Sequence, residues 1–317
     1  MVCIVTPALA SANNGNWQTA KRWSQMLRSH YRVALANSWH GESADALVAL
    51  HARRSADSIQ RWASERPGCP LAVVLTGTDL YRDIHVDAPA QRSLELATRL
   101  IVLHERAIED LPAQHRAKAV ACFQSTTVRM ALVKTAQHLR CVTVGHLREV
   151  KAPRMYFDVA RRLAHRHDIL LDHIGDALEP ALGEEARALQ QRCPHYRWLG
   201  GLPHETTRGR IQSAHALVNT SRMEGGAHVV MEAICSGTPV LATRIPGNVG
   251  MLGSDYAGYV EPGDAEGLAA LIERCRDQPA ILDELCRQCA ARAPLFEPER
   301  ERATLLSLLN DLLEKPR

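Results

Sequence analysis

Two glutamates, Glu224 and Glu232, stand eight residues apart in the segment Ser221-Arg-Met-Glu-Gly-Gly-Ala-His-Val-Val-Met-Glu-Ala-Ile-Cys-Ser-Gly-Thr-Pro-Val-Leu-Ala242. A strand is expected to end near Asn219, the chain to turn through Glu224–Ala227, and a helix to run over Ala227–Ser236. Gly225, Gly226 and Ala227 at such a helix start would expose unpaired backbone N–H groups, which is how a chain cradles a phosphate. One carboxylate in the turn and one two turns into the helix would grip neutral hydroxyls on either side of a diphosphate. Gly237-Thr-Pro239 then stops the helix and feeds the next strand. Two glutamates at this spacing would by themselves be surface groups around a glycine turn; the glycines, the preceding strand and the Ser-Gly-Thr-Pro-Val that follows argue for a site. Ser221 and Arg222, just upstream, are the next candidates for diphosphate contact.

Other segments offer cations and hydroxyls. Val144-Gly-His-Leu-Arg-Glu-Val-Lys151 follows a strand and carries Arg148 and Lys151. In the first half, Thr6-Pro7 ends the first strand, and Asn13-Asn14-Gly15-Asn16 opens the next helix; Gly15 and Asn16 are candidate ligand contacts, the alternative being an ordinary β–α turn. His51-Ala-Arg53-Arg54-Ser55 follows a buried strand, and its two arginines near a helix start suit an acceptor that bears phosphate. Thr76-Gly77-Thr78-Asp79 follows another buried strand; Thr76, Thr78 and Asp79 suit an acceptor, and Thr78 or Asp79 suits a helix cap equally. Arg244-Ile-Pro-Gly-Asn-Val-Gly250 follows a later strand, and Gly247 and Asn248 are expected near sugar or acceptor, the alternative being a plain turn. No D-x-D and no H-E-x-x-H occurs, so neither a metal nor another cofactor is expected.

The elements that must position these residues alternate along the chain. Strands are expected at Val2–Thr6, Arg32–Ala36, Ala46–Leu50, Leu71–Leu75, Arg99–Leu103 and Lys118–Cys122, then at Arg140–Val144, Ile169–Ile174, Tyr196–Leu199, Ala216–Asn219, Val240–Ala242 and Gly258–Val260. Helical patterns such as Asn16–Arg28, Ala56–Ser64, Arg154–Arg162, Pro180–Gln191, Glu205–Ser213 and Ala265–Arg276 separate most of them. Short apolar strands alternating with helices predict α/β architecture with doubly wound parallel sheets. The expected division is residues 1–135 and 136–295, one doubly wound sheet in each. A long amphipathic C-terminal helix over 296–317 would then pack back toward the first half. Two such halves would hold a ligand at the carboxyl ends of their strands, in a cleft between them.

Composition narrows the function. Over 317 residues, 46% are apolar and 23% charged, as in an ordinary soluble globular protein. Aromatics at 4% argue against base-stacking surfaces, and a net charge of +3 without a long basic run argues against nucleic acid or stable membrane association. Nine cysteines sit mostly among apolar neighbours, as reduced core thiols do. Cys286 and Cys289 form one C-x-x-C, but inside a helical stretch, Leu282–Arg292, rather than at the strand-to-helix junction a redox pair needs. No apolar run approaches the ~18 residues of a spanning helix. The N-terminus mimics a leader peptide, but it lacks a positive start and is interrupted by Thr6-Pro7. Reading Val2–Thr6 as a strand gives an expected cytoplasmic location.

The Glu224 segment resembles the nucleotide-sugar site of GT-B glycosyltransferases, in the large, usually retaining group often called family 4. Their pattern E-G-x-x-x-x-x-x-E-A-x-x-x-G-x-P-V is matched by Glu224, Gly225, Glu232, Ala233, Gly237, Pro239 and Val240. The resemblance implies that Glu232 binds ribose hydroxyls and that Glu224 contacts the donor sugar. The Val144–Lys151 segment is similar to the family's G-R-L-x-x-x-K, whose Arg and Lys neutralise the donor diphosphate. Lys151 matches the Lys; His146 stands at the Arg position, and Arg148, two residues on, offers a forked guanidinium instead. The implied catalytic group is Glu224, Arg148 and Lys151.

A narrower resemblance runs nearly end to end. Asn13-Asn14-Gly15-Asn16, Ala49-Leu-His-Ala-Arg-Arg-Ser55, Leu75-Thr-Gly-Thr-Asp-Leu-Tyr81, Ser221-Arg-Met-Glu-Gly-Gly226, Arg244-Ile-Pro-Gly-Asn-Val-Gly250 and the ending Ala293-Pro-Leu-Phe-Glu-Pro-Glu-Arg300 are similar to the selenosugar synthases of selenoneine biosynthesis. That implies joining selenophosphate to a UDP-sugar, typically UDP-N-acetylglucosamine, through a carbon–selenium bond. Selenophosphate is anionic and strongly nucleophilic near neutral pH, so it needs orientation and charge neutralisation more than a general base. Arg53, Arg54 and His51 would supply these, while Arg148, Lys151 and the Gly225–Ala227 amides would stabilise the departing UDP. The alternatives are a transferase acting on a hydroxyl of a glycan or lipid, and a module that binds UDP-sugar without turnover.

Overall fold

The computed structural model describes residues 1–7 and 15–314; Asn13 and Asn14 of the expected loop lie outside them. The chain forms two compact units. The first takes in Met1–Ser125, the short piece Glu224–Gly226 and the chain from Glu297 onward; the second takes in Thr126–Met223 and Ala227–Phe296.

The sheet of the first unit has six parallel strands: β1 (Val2–Val5), β2 (Val33–Ala36), β3 (Ala46–Leu50), β4 (Leu71–Val74), β5 (Arg99–Val102) and β6 (Ala119–Ala121). Their order is β2-β1-β3-β4-β5-β6. The connecting helices are α1 (Gly15–Leu27), α2 (Ala56–Glu65), the single turn α3 (Ile84–Val86), α4 (Ala88–Leu96) and the single turn α5 (Ala113–Arg116). Strand residues alternate between two cores, as a pleat with a period of two requires. Cys3, Val5, Leu47, Ala49 and Val73 join Trp39 and Trp62 on one face. Val2, Ile4, Val48, Leu50 and Val74 join Trp23 and Leu27 on the other.

The second unit repeats the plan with β7 (Leu139–Val144), β8 (Ile169–Ile174), β9 (Tyr196–Trp198), β10 (Ala216–Asn219), β11 (Val240–Thr243) and β12 (Tyr259–Val260), all parallel, in the order β12-β11-β10-β7-β8-β9. Its helices are α6 (Pro153–Arg162), α7 (Pro180–Arg192), α8 (His204–Ser213), α9 (His228–Ile234), α10 (Pro246–Leu252), α11 (Ala265–Asp277) and α12 (Pro279–Arg292). Cys286 and Cys289 both lie in α12 and are free thiols.

The last helix, α13 (Pro298–Glu314), returns to the first unit. Leu305, Leu308, Leu309 and Leu312 make the i, i+3, i+4, i+7 stripe of an amphipathic helix and enter the same core as Trp23. Its buried Glu301 accepts from Trp23 Nε1 at 2.6 Å, from Arg22 Nε at 2.8 Å and from Ser125 N at 2.8 Å. No helix among the described residues is long and apolar enough to cross a membrane.

Three expectations need correction. The division falls at Ser125, ten residues before the expected 135. Residues 126–135 carry no strand, and second-unit groups hold them: Arg129 N donates to Cys235 O (2.8 Å), and Arg208 Nη2 (2.7 Å) and Gln212 Nε2 (2.8 Å) donate to Thr127 O and Met130 O. The short piece Glu224–Gly226, expected within the second half, belongs to the first unit. The stretch expected as a loop or turn at Pro246–Gly250 is helical, as α10.

Candidate functional site

A parallel sheet offers a ligand crevice where neighbouring strands send their connections in opposite directions. In the second unit that point lies between β7 and β10: β7 leads away through β8 to β9, and β10 returns on the other side. The loops leaving these two strands carry His146, Arg148, Lys151, Ser221 and Arg222. Main-chain bonds tie the loops together. Arg222 N donates to Val150 O and Thr220 Oγ1 to Lys151 O, both at 2.9 Å. Thr243 Oγ1 holds Ser221 O at 2.6 Å. Ala152 takes a left-handed turn (φ 45°) that feeds Pro153 into the first turn of α6. Below the loop, the His173 imidazole bonds the Gly145 main chain and contacts Tyr196 Oη at 3.1 Å; burial pushes its pKa down to about 4, so it is neutral.

Within this loop pair the charges are held differently. Asp176 N donates to His146 Nδ1 at 3.1 Å, which leaves the ring hydrogen on Nε2. Burial, with Arg148 and Lys151 nearby, lowers the His146 pKa, so a neutral donor stands where the resembled family has an arginine. Arg148 Nε is buried with no hydrogen-bond partner. Such an orphan costs roughly 1–3 kcal/mol unless a ligand satisfies it. Arg222 is exposed and 3.9 Å from Glu149.

Glu232 lies on α9, its side chain 6% exposed. His204, the first residue of α8, donates to its Oε1 across 2.7 Å. This hydrogen bond raises the His204 pKa against the opposing effect of burial. His204 is a site residue the sequence does not reveal, because nothing in a 28-residue separation signals the pairing.

The expected phosphate cradle is altered. Ala227 N points at Met251 Sδ, 3.2 Å away, so a thioether occupies that amide. The helix behind it spans only His228–Ile234, shorter than the expected Ala227–Ser236. Gly225 is explained by packing: a Cβ there would fall on the Thr76 carbonyl and lie 2.7 Å from Gly77 N. Gly77 reciprocates, at φ +141°, with a Cβ position 2.9 Å from Gly225 N. Two bare backbones thus meet within the first unit, and Glu224 stands beside this contact.

In the first unit the strand order reverses at β1 and β3. His51 follows β3 with φ 74°, a left-handed conformation uncommon for a residue with a Cβ. Arg54 N donates to its Nδ1 (3.3 Å), and its Nε2 donates to Thr78 Oγ1 (3.2 Å). Burial lowers its pKa despite Asp79 nearby. His51 is therefore a neutral, occupied ring, and not the cation expected to meet an anionic acceptor. Asp79 is fully buried and accepts from Thr76 N (2.9 Å), Gly77 N (2.9 Å) and Ala52 N (3.0 Å). Its carboxylate is spent on holding the β3 and β4 loops together, which corrects its assignment as an acceptor contact. Thr76 and Thr78 remain half-buried. Arg53 is half exposed and 3.1 Å from Asp87; Arg54 is exposed and makes no ion pair among the described residues.

Gly15 is exposed and Asn16 half-buried at the start of α1. Thr19 Oγ1 donates to Gly15 O (2.8 Å) and receives Gln124 Nε2. The Thr19 proton being committed to Gly15, Gln124 must donate through its nitrogen, and its buried Oε1 is left without a partner. Gly247 and Asn248, expected as acceptor contacts, are buried in α10, where Asn248 Nδ2 donates to Thr243 O at 2.9 Å and its Oδ1 is left without a partner.

The family model described as Glycosyl transferases group 1 matches residues 125–295. Among curated proteins, a sucrose synthase of Acidithiobacillus caldus is 28% identical over 152 residues, covering 43% of this chain and 19% of that protein. The chain spans between about a fifth and about half the length of the curated relatives it first matches. Among solved structures, sucrose-phosphate synthase from Thermosynechococcus elongatus shares the fold with a TM-score of 0.79 at 15% identity, over 99% of both chains. Anabaena HepE in complex with UDP and glucose does so with a TM-score of 0.77 at 15% identity, over 98% of this chain and 99% of that one. The two-sheet architecture is the GT-B fold expected from the sequence.

Proposed function

The chain belongs to the glycosyl transferases group 1 family, and we propose that it joins selenophosphate to the sugar of UDP-N-acetylglucosamine, releasing UDP and giving a selenosugar for selenoneine biosynthesis. The observation that carries the donor half is the unpartnered, buried Arg148 Nε at the β7–β10 reversal, with Lys151 three residues on. A diphosphate oxygen satisfies such a group, and the pair of cations stabilises UDP as the bond to C1 breaks. Glu232 offers a buried carboxylate to the ribose hydroxyls, and Glu224 meets the sugar. The presence of UDP and glucose in the structurally similar HepE supports a UDP-sugar donor.

The acceptor half rests on the resemblance to selenosugar synthases and on Arg53 and Arg54 after β3. Selenium attacks C1 of the sugar with its own electron pair, the C1–oxygen bond breaks and UDP carries away the bonding electrons; the phosphoryl group stays on selenium until water cleaves the Se–P bond, releasing phosphate and the selenosugar. Because selenophosphate is already ionised, no side chain has to remove a proton, which fits a neutral, occupied His51. Protein cations do the work of a metal in this scheme, so activity is expected to survive EDTA. The test is UDP release from UDP-N-acetylglucosamine with and without selenophosphate. Release that depends on selenophosphate supports the reading. Donor binding without such turnover would move the chain to hydroxyl acceptors.

A further inference from the structure

His204 lies outside every motif of the donor segment, yet its Nε2 is 2.7 Å from Oε1 of Glu232. The carboxylate is 6% exposed, while the imidazole side chain is 49% exposed. No other side chain is hydrogen-bonded to the Glu232 carboxylate among the described residues. A carboxylate has about four acceptor positions. One donor therefore holds this one in place and leaves it underfilled.

We infer that His204 is a positioning residue for the donor nucleoside: it fixes Oε1 of Glu232 and couples the hold on the ribose to its own protonation. The inference rests on the reading that Glu232 meets the ribose. As an imidazolium, His204 neutralises the buried carboxylate and strengthens the hydrogen bond that orients it. Once the proton is lost, an uncompensated carboxylate faces an anionic UDP-sugar, and donor affinity falls.

The charges around His204 favour its protonated form. The hydrogen bond to Glu232 on α9 raises its pKa most, burial opposes this, and on α8 itself Arg208 lowers it while Glu205, 3.9 Å from Nδ1, raises it. Glu205 is itself paired with Arg129. On β7, which also packs against α8, Arg140 is paired with Asp172 and Cys141 is buried in the sheet. Stabilisation of the charged pair is thus complete below pH 6.5 and is lost as pH rises through the elevated His204 pKa. His146 does not confuse the window, because its pKa is shifted the other way. The diphosphate of a UDP-sugar has no proton left to lose there.

The experiment is calorimetric titration of the full chain with UDP-N-acetylglucosamine between pH 6.5 and 9, on wild type, His204→Gln, His204→Ala and Glu232→Ala. Wild type should weaken by about fivefold across the range, the difference between a charged and a neutral hydrogen bond. His204→Gln keeps an N–H donor but cannot titrate, so its affinity should be flat and near the high-pH wild-type value. His204→Ala should bind more weakly than His204→Gln, with donor KM raised and kcat kept. A wild-type pH profile surviving in His204→Gln would overturn the inference, as would wild-type affinity in His204→Ala. Undiminished binding by Glu232→Ala would instead remove the ribose reading itself, and no binding by wild type would remove the UDP-sugar donor; either takes the inference down with it.

Discussion

The loops at the strand-order reversals of the two units use their polar residues in opposite ways. In the first unit, Asp79 accepts three main-chain N–H groups, and both ring nitrogens of His51 are engaged. Those residues hold the loop in shape and have nothing left for a substrate; only the exposed arginines beside them do. In the second unit, Arg148 Nε is buried without a partner, and the Glu232 carboxylate is held by one side chain. Residues that look alike in sequence therefore divide into groups that build a site and groups that serve one. Unused hydrogen-bond capacity separates Arg148 and Glu232 from Asp79 and His51.

Replacing residues from each side tests that division. The largest effect is expected for Asp79→Ala, which strands three buried N–H donors. It should cost about 3 kcal/mol or more of stability, read in urea melts, while surviving folded protein keeps its UDP affinity. Lost UDP affinity at undiminished stability would reverse the assignment. Next comes acid. The folded His173 pKa, about 4, lies below 6.5, so the unfolded chain binds a proton first as pH falls. Stability present above pH 6.5 should drop by ~3 kcal/mol on the way down to pH 4. Urea midpoints of wild type and His173→Gln compared at pH 7 and 4.5 would show it, with the variant less sensitive to acid.

Arg148→Gln removes an unsatisfied buried N–H, so it should not lower the melting midpoint of the free protein, while it weakens UDP binding by ~10- to 100-fold, the worth of a charge-assisted phosphate contact. An unchanged dissociation constant in titration calorimetry would take Arg148 out of the donor site. The smallest effect is expected for Arg53→Ala combined with Arg54→Ala. Exposed as they are, their loss should raise the selenophosphate KM by only about fivefold and leave UDP binding unchanged. Normal selenophosphate dependence in steady-state kinetics would remove them from the acceptor site.

Much of the scaffold was legible because parallel strands are buried on both faces. The continuous apolar runs at Val2–Val5, Ala46–Leu50 and Leu71–Val74 leave little choice of structure. α10 was not legible: Pro246-Gly-Asn-Val-Gly is poor helix sequence, and its support is tertiary, with Tyr259 Oη donating to Asn248 O and Arg292 Nη2 to Gly250 O. In the site, the placement of Arg148 and Lys151 after a strand could be read from spacing. The pairing of His204 with Glu232, the Met251 sulfur on Ala227 N and the structural use of Asp79 could not. Each depends on which strands become neighbours, and local sequence does not carry that information.

The most direct measurement is the mass spectrum of the sugar product from UDP-N-acetylglucosamine and selenophosphate, taken alongside UDP release. The account predicts an N-acetylhexosamine species bearing the selenium isotope pattern, formed in step with UDP and unaffected by EDTA. UDP formed at the same rate without selenophosphate, or a selenium-free sugar product, would contradict it.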